Sequence, residues 1–161
     1  MMYPDPVSTR AHDVKCELAA EVLRSTGTVR LRVNGWSMLP TVMPGDTLLV
    51  ESATSDQVAE GEIVLFHRER RFFIHRVVRE SEDRSGLLTR GDAMPQPDPP
   101  VRRHELLGRI LCIERNGKRF VPSPHLTWRE RAIAAIAQRS ETAARVVVGV
   151  HGFRQSPEGQ A

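Results

Sequence analysis

A short segment of the chain places a serine where a nucleophile could stand. Residues 35–41 read Gly-Trp-Ser-Met-Leu-Pro-Thr and follow an alternating stretch that predicts a strand over residues 28–33. A serine directly after a strand-ending turn is held at a fixed place beside a sheet edge. Its hydroxyl is a good nucleophile only if a base lies within hydrogen-bond reach. Ser37 therefore needs a basic partner from elsewhere in the chain.

Composition limits which side chains can supply that base. The chain has 161 residues and a formal net charge of +3, and its only lysines are Lys15 and Lys118. So small a net charge does not favour a nucleic-acid binder. With only two lysines in the chain, few lysine side chains are available as a base for Ser37. Cys16 and Cys112 form no disulfide framework, and no C-x-x-C or H-E-x-x-H spacing supports a metal site. We expect no metal and no cofactor.

The segment around Ser37 belongs to an ordered set that resembles the superfamily of type I signal peptidases and LexA-like self-cleaving proteases. The matching segments are residues 35–41, 44–46, 61–64, 75–77 and 89–93. In bacterial signal peptidases and LexA-like proteins the base is a lysine. In endoplasmic-reticulum-type signal peptidases it is a histidine within an H-R-V segment. His75 begins such a segment 38 residues after Ser37, so the resemblance is closest to this Ser–His branch.

The resemblance implies a role for each polar residue of the set. Ser37 is the nucleophile, His75 the general base, Asp98 the acid that orients His75, and Asp92 a supporting residue. The chemistry agrees, because a neutral imidazole can take the serine proton and a carboxylate on its other nitrogen fixes the tautomer. Which of Asp98 and Asp92 is the triad acid stays open at this point.

Two neighbours of Ser37 complete the candidate site. Gly35 stands where signal peptidases usually carry Ser or Thr, as it does in LexA-like proteins. The oxyanion would then be bound mainly by backbone N–H groups, including that of Ser37, and turnover could be low. Met38 is expected to fill an apolar gap beside the nucleophile.

These residues need a β-rich framework to position them. Turn residues separate apolar and alternating runs that predict strands over residues 28–33, 47–51, 62–66, 71–79, 86–89, 107–114 and 118–121. Residues 95–100 hold four prolines and predict a stiff extended loop. The expected fold class is mainly β: a LexA/signal-peptidase-like coiled β-sheet domain with an N-terminal helix and C-terminal helices.

The chain divides into three predicted parts. Residues 1–27 are a leader and N-terminal helix, residues 28–122 the catalytic β domain, and residues 123–161 a C-terminal helical appendage and tail. Residues 1–10 are expected to be disordered. A helix over residues 11–25 has an apolar face formed by Val14, Leu18 and Val22 together with Ala19 and Leu23. Further helices are predicted over residues 128–139 and 141–150.

The favoured function is a serine endopeptidase that resembles signal peptidase I and cleaves an extended peptide or precursor protein. One alternative is a LexA-like self-cleaving regulator, although no DNA-binding module fits in the first 27 residues and the chain has no Ala-Gly or Cys-Gly pair. Another is an inactive peptide-binding module of the same fold. The substrate, the membrane side and the oligomeric state stay open.

The predicted location follows from what the sequence lacks. Residues 1–10 do not resemble a signal peptide, and no apolar stretch of 18 residues predicts a transmembrane helix. We expect a cytoplasmic or peripherally membrane-associated protein. Trp128 and Ile136, flanked by arginines, give the C-terminal helices a face for peripheral membrane contact, or for docking on the β domain. Arg68, Arg70 and Arg71 are interpreted as a solvated hairpin tip.

Overall fold

The computed structural model describes residues 6–138, with side chains from residue 14 onward except residue 15. Helix α1 (Pro6–Thr26) lies at the N-terminal end of the described chain, and helix α2 (Trp128–Gln138) lies at its C-terminal end. Ser55–Gln57 form a 3-10 turn. The strands are β1 (Thr28–Arg32), β2 (Thr47–Ser52), β3 (Ile63–Arg68), β4 (Arg71–Glu80), β5 (Gly86–Arg90), β6 (Val101–Arg102), β7 (Leu106–Arg115) and β8 (Lys118–Phe120).

These eight strands form one antiparallel sheet that brings distant segments together. Their order is β1-β2-β7-β3-β4-β5-β6, and β8 pairs with β7. The β4–β5 register sets Arg76 opposite Arg90, so the chain leaving β5 at Gly91 begins beside His75. The antiparallel sheet with a helix at each end of the described chain confirms the predicted fold class.

Strand β3 is covered on both faces. Ile63 and Leu65 belong to the main core cluster beneath α1, whereas Val64 and Phe66 belong to a second cluster. Side chains of a strand alternate between faces, so a continuous apolar run marks a strand buried on both sides. Each of these side chains contributes about 1.5–3 kcal/mol through burial. The packing of β3 therefore fixes its neighbour β4, which carries His75.

Helix α1 extends closer to the N-terminus than the sequence predicts. Its described span, Pro6–Thr26, includes residues 6–10, which were expected to belong to a disordered leader. The expectation of disorder over residues 6–10 is therefore wrong.

The predicted apolar face of α1 is correct at Leu23, which is buried in the main core cluster, but wrong at three other positions. Val14, Leu18 and Val22 are 59%, 63% and 37% exposed. The other residues that α1 buries are Cys16 and Ala20. Because cysteine and alanine are small, this side of the helix lets α1 lie close to the sheet.

Strand β6 was not predicted from the sequence. It has only two residues, Val101 and Arg102, which pair with Leu87 and Gly86 of β5. Two residues are too few for an alternating pattern to be seen. Their pairing anchors the end of the proline-rich loop to the sheet, and Val101 is buried in the second core cluster.

Helix α2 spans Trp128–Gln138 among the described residues and starts at the predicted position, whereas residue 139 and the predicted helix over residues 141–150 lie outside the described residues. Ala134 and Ala137 are buried, whereas Trp128 and Ile136 are exposed. The small residues of α2 therefore dock on the rest of the molecule, and its large apolar residues face outward. None of the helices in residues 6–138 has the length and apolar character to cross a membrane.

Candidate active site

The loop between β1 and β2 holds Ser37 in a tight turn. The Leu39 amide donates to the Trp36 carbonyl at 3.1 Å, and the Val42 amide donates to the Met38 carbonyl at 3.0 Å. Met38 is buried in the main core cluster, and Leu39 is fully buried as well. The two residues after Ser37 thus anchor the turn, and the serine side chain stays partly accessible.

A buried ion pair closes the base of this loop. Asp46 accepts a hydrogen bond from the Met43 amide at 2.7 Å. It also accepts two from Arg115, at 2.8 Å from Nε and 2.7 Å from Nη2. Arg115 also donates to the carbonyl of Thr41, at 3.1 Å. Paired Arg–carboxylate bonds add geometric constraint to attraction, so the turn that carries Ser37 is tied to β7.

His75 reaches Ser37 from the middle of β4. Its imidazole is buried, and Nε2 lies 3.0 Å from the Ser37 Oγ. The rings of Phe66 and Phe73 meet the imidazole edge-on, at centroid distances of 5.9 Å and 6.3 Å. These aromatic contacts hold the plane of the imidazole, so the serine and the histidine are in hydrogen-bond contact without rearrangement.

Asp98 contacts the other side of the same imidazole. Its Oδ2 lies 2.6 Å from the Nδ1 of His75 and accepts a second hydrogen bond, 2.7 Å long, from the hydroxyl of Thr89. The backbone amide of Asp98 donates to the Thr89 carbonyl at 2.8 Å. Because an ionised carboxylate only accepts hydrogen bonds, Nδ1 carries the imidazole proton and Nε2 is left to accept from Ser37.

The surroundings of Asp98 favour its ionised form. Partial burial by itself raises the pKa of Asp98, but the hydrogen bonds from His75 and Thr89 outweigh it. The positive charge of Arg68 acts in the same direction, and the pKa stays below the ordinary value of 3.8. The carboxylate is therefore charged at neutral pH and able to stabilise an imidazolium.

Arg68 ties down the loop that follows Asp98. Its guanidinium donates to the carbonyls of Pro99 and Pro100 at 3.2 Å and 2.9 Å, and to Glu105 through two bonds of 2.7 Å. Its side chain is only 22% exposed. The interpretation of Arg68 as part of a solvated hairpin tip is therefore wrong, because carbonyls and a carboxylate from distant positions surround it.

Asp92 makes an ion pair and is not the partner of His75. Its carboxylate accepts two hydrogen bonds from Arg76, each 2.8 Å long, and one from the hydroxyl of Thr41 at 2.5 Å. The side chain of Asp92 is almost fully buried. Asp92 thus joins the loop of Ser37, through Thr41, to β4, through Arg76.

The segment that contains Asp92 also packs directly against Ser37. The Ala93 amide donates to the Ser37 carbonyl at 2.9 Å. A Cβ atom added to Gly91 would lie 2.6 Å from that carbonyl oxygen and 3.1 Å from the Nε2 of His75. Only glycine therefore lets the backbone approach this closely.

Gly35, by contrast, has open space around it. A Cβ atom there would meet nothing within 4 Å. Within residues 6–138, the backbone N–H of Ser37 makes no hydrogen bond to an acceptor. That amide can therefore donate a hydrogen bond to a further acceptor.

Helix α2 buttresses both loops of the site. Leu39, Met43, Ala93 and Ala137 form a small buried cluster. The side-chain amide of Gln138 also donates to the Met94 carbonyl at 3.4 Å. The last described residues of α2 therefore cover the loop of Ser37 and the segment after β5.

Three residues of this arrangement were given no role in the site by the sequence analysis: Thr89, Arg76 and Arg68. The sequence offered a signal for two of them, since Arg76 directly follows His75 and Thr89 begins the segment that contains Asp92. For Arg68 no local signal exists, because its partners are 31 to 37 positions away. The described residues hold no group of three His, Cys, Asp or Glu side chains that could bind a metal ion.

Comparison with known proteins points to one family. A model of the Peptidase S24-like family matches residues 4–111, which include Ser37, His75, Asp92 and Asp98. A search of curated proteins found no match to the chain.

Proposed function

The chain belongs to the Peptidase S24-like family, and from this premise we propose that it is a serine endopeptidase with Ser37, His75 and Asp98 as its catalytic residues. The observation that carries the proposal is an unbroken hydrogen-bonded path. It runs from the Ser37 Oγ to the His75 Nε2 at 3.0 Å, and from the His75 Nδ1 to the Asp98 Oδ2 at 2.6 Å. Nucleophile, base and orienting carboxylate in this order are what acyl transfer requires.

The proposed reaction begins with attack of the Ser37 Oγ on a peptide carbonyl carbon. His75 Nε2 takes the hydroxyl proton as the new C–O bond forms, and Asp98 stabilises the resulting imidazolium. The oxyanion is bound by the amide of Ser37. Collapse breaks the C–N bond, and His75 returns the proton to the leaving amine. Water then attacks the acyl-enzyme with His75 again as base, which regenerates the Ser37 hydroxyl and releases the acid.

The proposed substrate is a peptide segment in extended conformation. Strand β1 leads into the loop of Ser37 and stands at the end of the strand order, so one of its edges pairs with none of the described strands. An edge of this kind binds an extended chain through backbone hydrogen bonds. The resemblance to signal peptidases implies small residues before the cleaved bond and a peptide or precursor protein as substrate.

An activity-based fluorophosphonate probe tests the proposal directly. We expect the purified protein to be labelled on Ser37, as located by peptide mass spectrometry, and the Ser37→Ala and His75→Ala variants to be unlabelled. Ser52→Ala and His104→Ala are matched controls, because both positions are exposed. Absence of labelling in the folded wild-type protein would instead support an inactive binding module.

Self-cleavage is the alternative that Gly35 favours, because LexA-like proteins carry glycine at this position. Incubation of the chain alone distinguishes the two activities. Self-cleavage would give fragments at a rate independent of protein concentration, and Ser37→Ala would abolish them. An endopeptidase that acts on other chains would stay intact and cleave an added peptide.

A further inference from the structure

A second cleft, distinct from the Ser37 site, carries positive charge. It has a volume of about 400 Å³ and lies between the sheet and α2. Arg76 and Arg90 line it from β4 and β5, and His125 and Arg131 line it from the α2 side. Asp92 is the single carboxylate among the lining residues.

Asp92 does not neutralise this cleft. Both of its oxygens are already bound, Oδ1 to Arg76 and Oδ2 to Arg76 and Thr41. Over residues 6–138, the side chains of Arg90 and Arg131 pair with no carboxylate. Two guanidinium groups therefore face the cleft without a counter-charge from the described part of the chain.

The sheet register places Arg90 opposite Arg76 on the neighbouring strand, but Asp92 already balances the charge of Arg76. Arg90 of β5 and Arg131 of α2 are therefore the two lining guanidinium groups whose charge is not balanced. An anion between these two groups would supply the counter-charge.

We propose that this cleft binds a phosphate-type oxyanion, held chiefly by Arg90 and Arg131 with His125 as a further donor. Guanidinium groups match oxyanions through paired hydrogen bonds. A phosphate group has enough oxygen atoms to serve several donors at once, whereas a carboxylate has two. Its source is free phosphate or the headgroup of an anionic phospholipid. The site uses neither Ser37 nor His75, so it stands apart from the proposed peptidase function.

An anion bound in this cleft would connect β5 to α2 and stabilise the folded protein. Arg90 ends β5, immediately before the segment that packs on Ser37, and Arg131 lies in the helix that covers that segment through Ala137. An anion shared by the two arginines joins β5 to α2. Since it binds the folded state, it should raise the unfolding temperature with increasing concentration.

The test uses the full chain with inorganic phosphate as the probe, at constant ionic strength adjusted with chloride. Isothermal titration calorimetry should show one saturable site in the wild-type protein. Arg90→Gln and Arg131→Gln should each weaken phosphate binding about tenfold or more, because each removes charged hydrogen bonds. The rise in unfolding temperature with phosphate should shrink in the same variants.

Arg129→Gln is the matched control. Arg129 is exposed on the same helix, but its guanidinium stacks on the Trp128 ring at 5.3 Å and does not line the cleft. It should leave phosphate binding unchanged. Circular dichroism spectra establish that all three variants are folded. No saturable binding by the wild-type protein, or equal binding by wild type and both cleft variants, would overturn the proposal.

A second arm identifies the source of the anion. Vesicles of phosphatidylglycerol and phosphatidylcholine are compared by sedimentation. Binding to phosphatidylglycerol vesicles alone, lost in Arg90→Gln and Arg131→Gln and reduced by inorganic phosphate, identifies a lipid headgroup. Saturable phosphate binding without vesicle binding identifies free phosphate. Vesicle binding that both cleft variants retain, in a protein that does not bind phosphate, contradicts the assignment of the site.

Discussion

His75 and Arg76 are consecutive residues of β4, yet each binds a different aspartate. His75 Nδ1 lies 2.6 Å from Asp98, and Arg76 Nη2 lies 2.8 Å from Asp92. Neighbouring side chains of a strand point to opposite faces. The two carboxylates therefore serve different structures: Asp98 contacts the imidazole, and Asp92 joins two elements of the scaffold.

The two aspartates should respond differently to the same substitution. Asp98→Asn should lower kcat by about 10³–10⁴-fold with little change in KM, because an amide favours the wrong imidazole tautomer. Asp92→Asn should instead destabilise the protein by about 3 kcal/mol, since it leaves Arg76 without its buried counter-charge. Peptide cleavage kinetics and urea unfolding measure the two effects. Loss of kcat in a stable Asp92→Asn variant would reverse the assignment.

Thr89 should act as a positioning residue through Asp98. Thr89→Val keeps the buried shape but removes the hydroxyl that donates to Asp98 at 2.7 Å. Loss of one hydrogen bond to a charged group predicts about a 10- to 100-fold fall in kcat at nearly constant KM. Thr89→Ser restores the hydroxyl and should rescue kcat. An equal loss in the Val and Ser variants would indicate a packing role only.

Gly91 and Gly35 both lie near Ser37 and should differ in how well they tolerate substitution by alanine. Gly91→Ala places a methyl group 2.6 Å from the Ser37 carbonyl oxygen, so the segment must move and probe labelling should fall to background. Gly35→Ala meets nothing within 4 Å and should keep labelling within about twofold of wild type. Equal labelling of the two variants would contradict this contrast.

Acid should weaken the ion pair between Arg68 and Glu105, which helps to hold the loop after Asp98. Hydrogen bonds from Arg68 outweigh desolvation and lower the pKa of Glu105 from 4.5 to about 2. A carboxyl group whose pKa is lowered by folding stabilises the protein above its unfolded pKa and loses this effect as pH falls through the folded value. Glu105→Gln should therefore reduce stability at neutral pH, and the difference from wild type should shrink between about pH 4.5 and pH 2.

Urea unfolding at a series of pH values measures this dependence, with Glu60→Gln as the control at an exposed position. The control should follow the wild-type curve throughout. A difference in unfolding free energy between Glu105→Gln and wild type that stays constant down to pH 2 would show that ionisation of Glu105 does not stabilise the protein.

Much of the sheet could be predicted because its signals are local. β1, β2, β4 and β7 begin or end within a residue or two of the predicted positions. Alternation and turn residues act over a few neighbours, so a sequence displays them directly. Strand β6 was not predicted, because two residues are too few to show an alternating pattern. On the packed face of α1, Leu23 was predicted but Cys16 and Ala20 were not, because a search for large apolar residues does not detect small side chains that pack closely.

By itself, the sequence determined the candidate residues: a serine after a strand-ending turn, a histidine on a strand, and two aspartates on the segment beyond. Only the tertiary structure decided that Asp98 contacts His75 and that Asp92 pairs with Arg76. It also decided that Arg68 holds the loop of Asp98. The physical reason is that these partnerships depend on strand register and on loop paths across many residues. The chemistry of the residues limits which pairs can form, and the tertiary structure determines which of them do form.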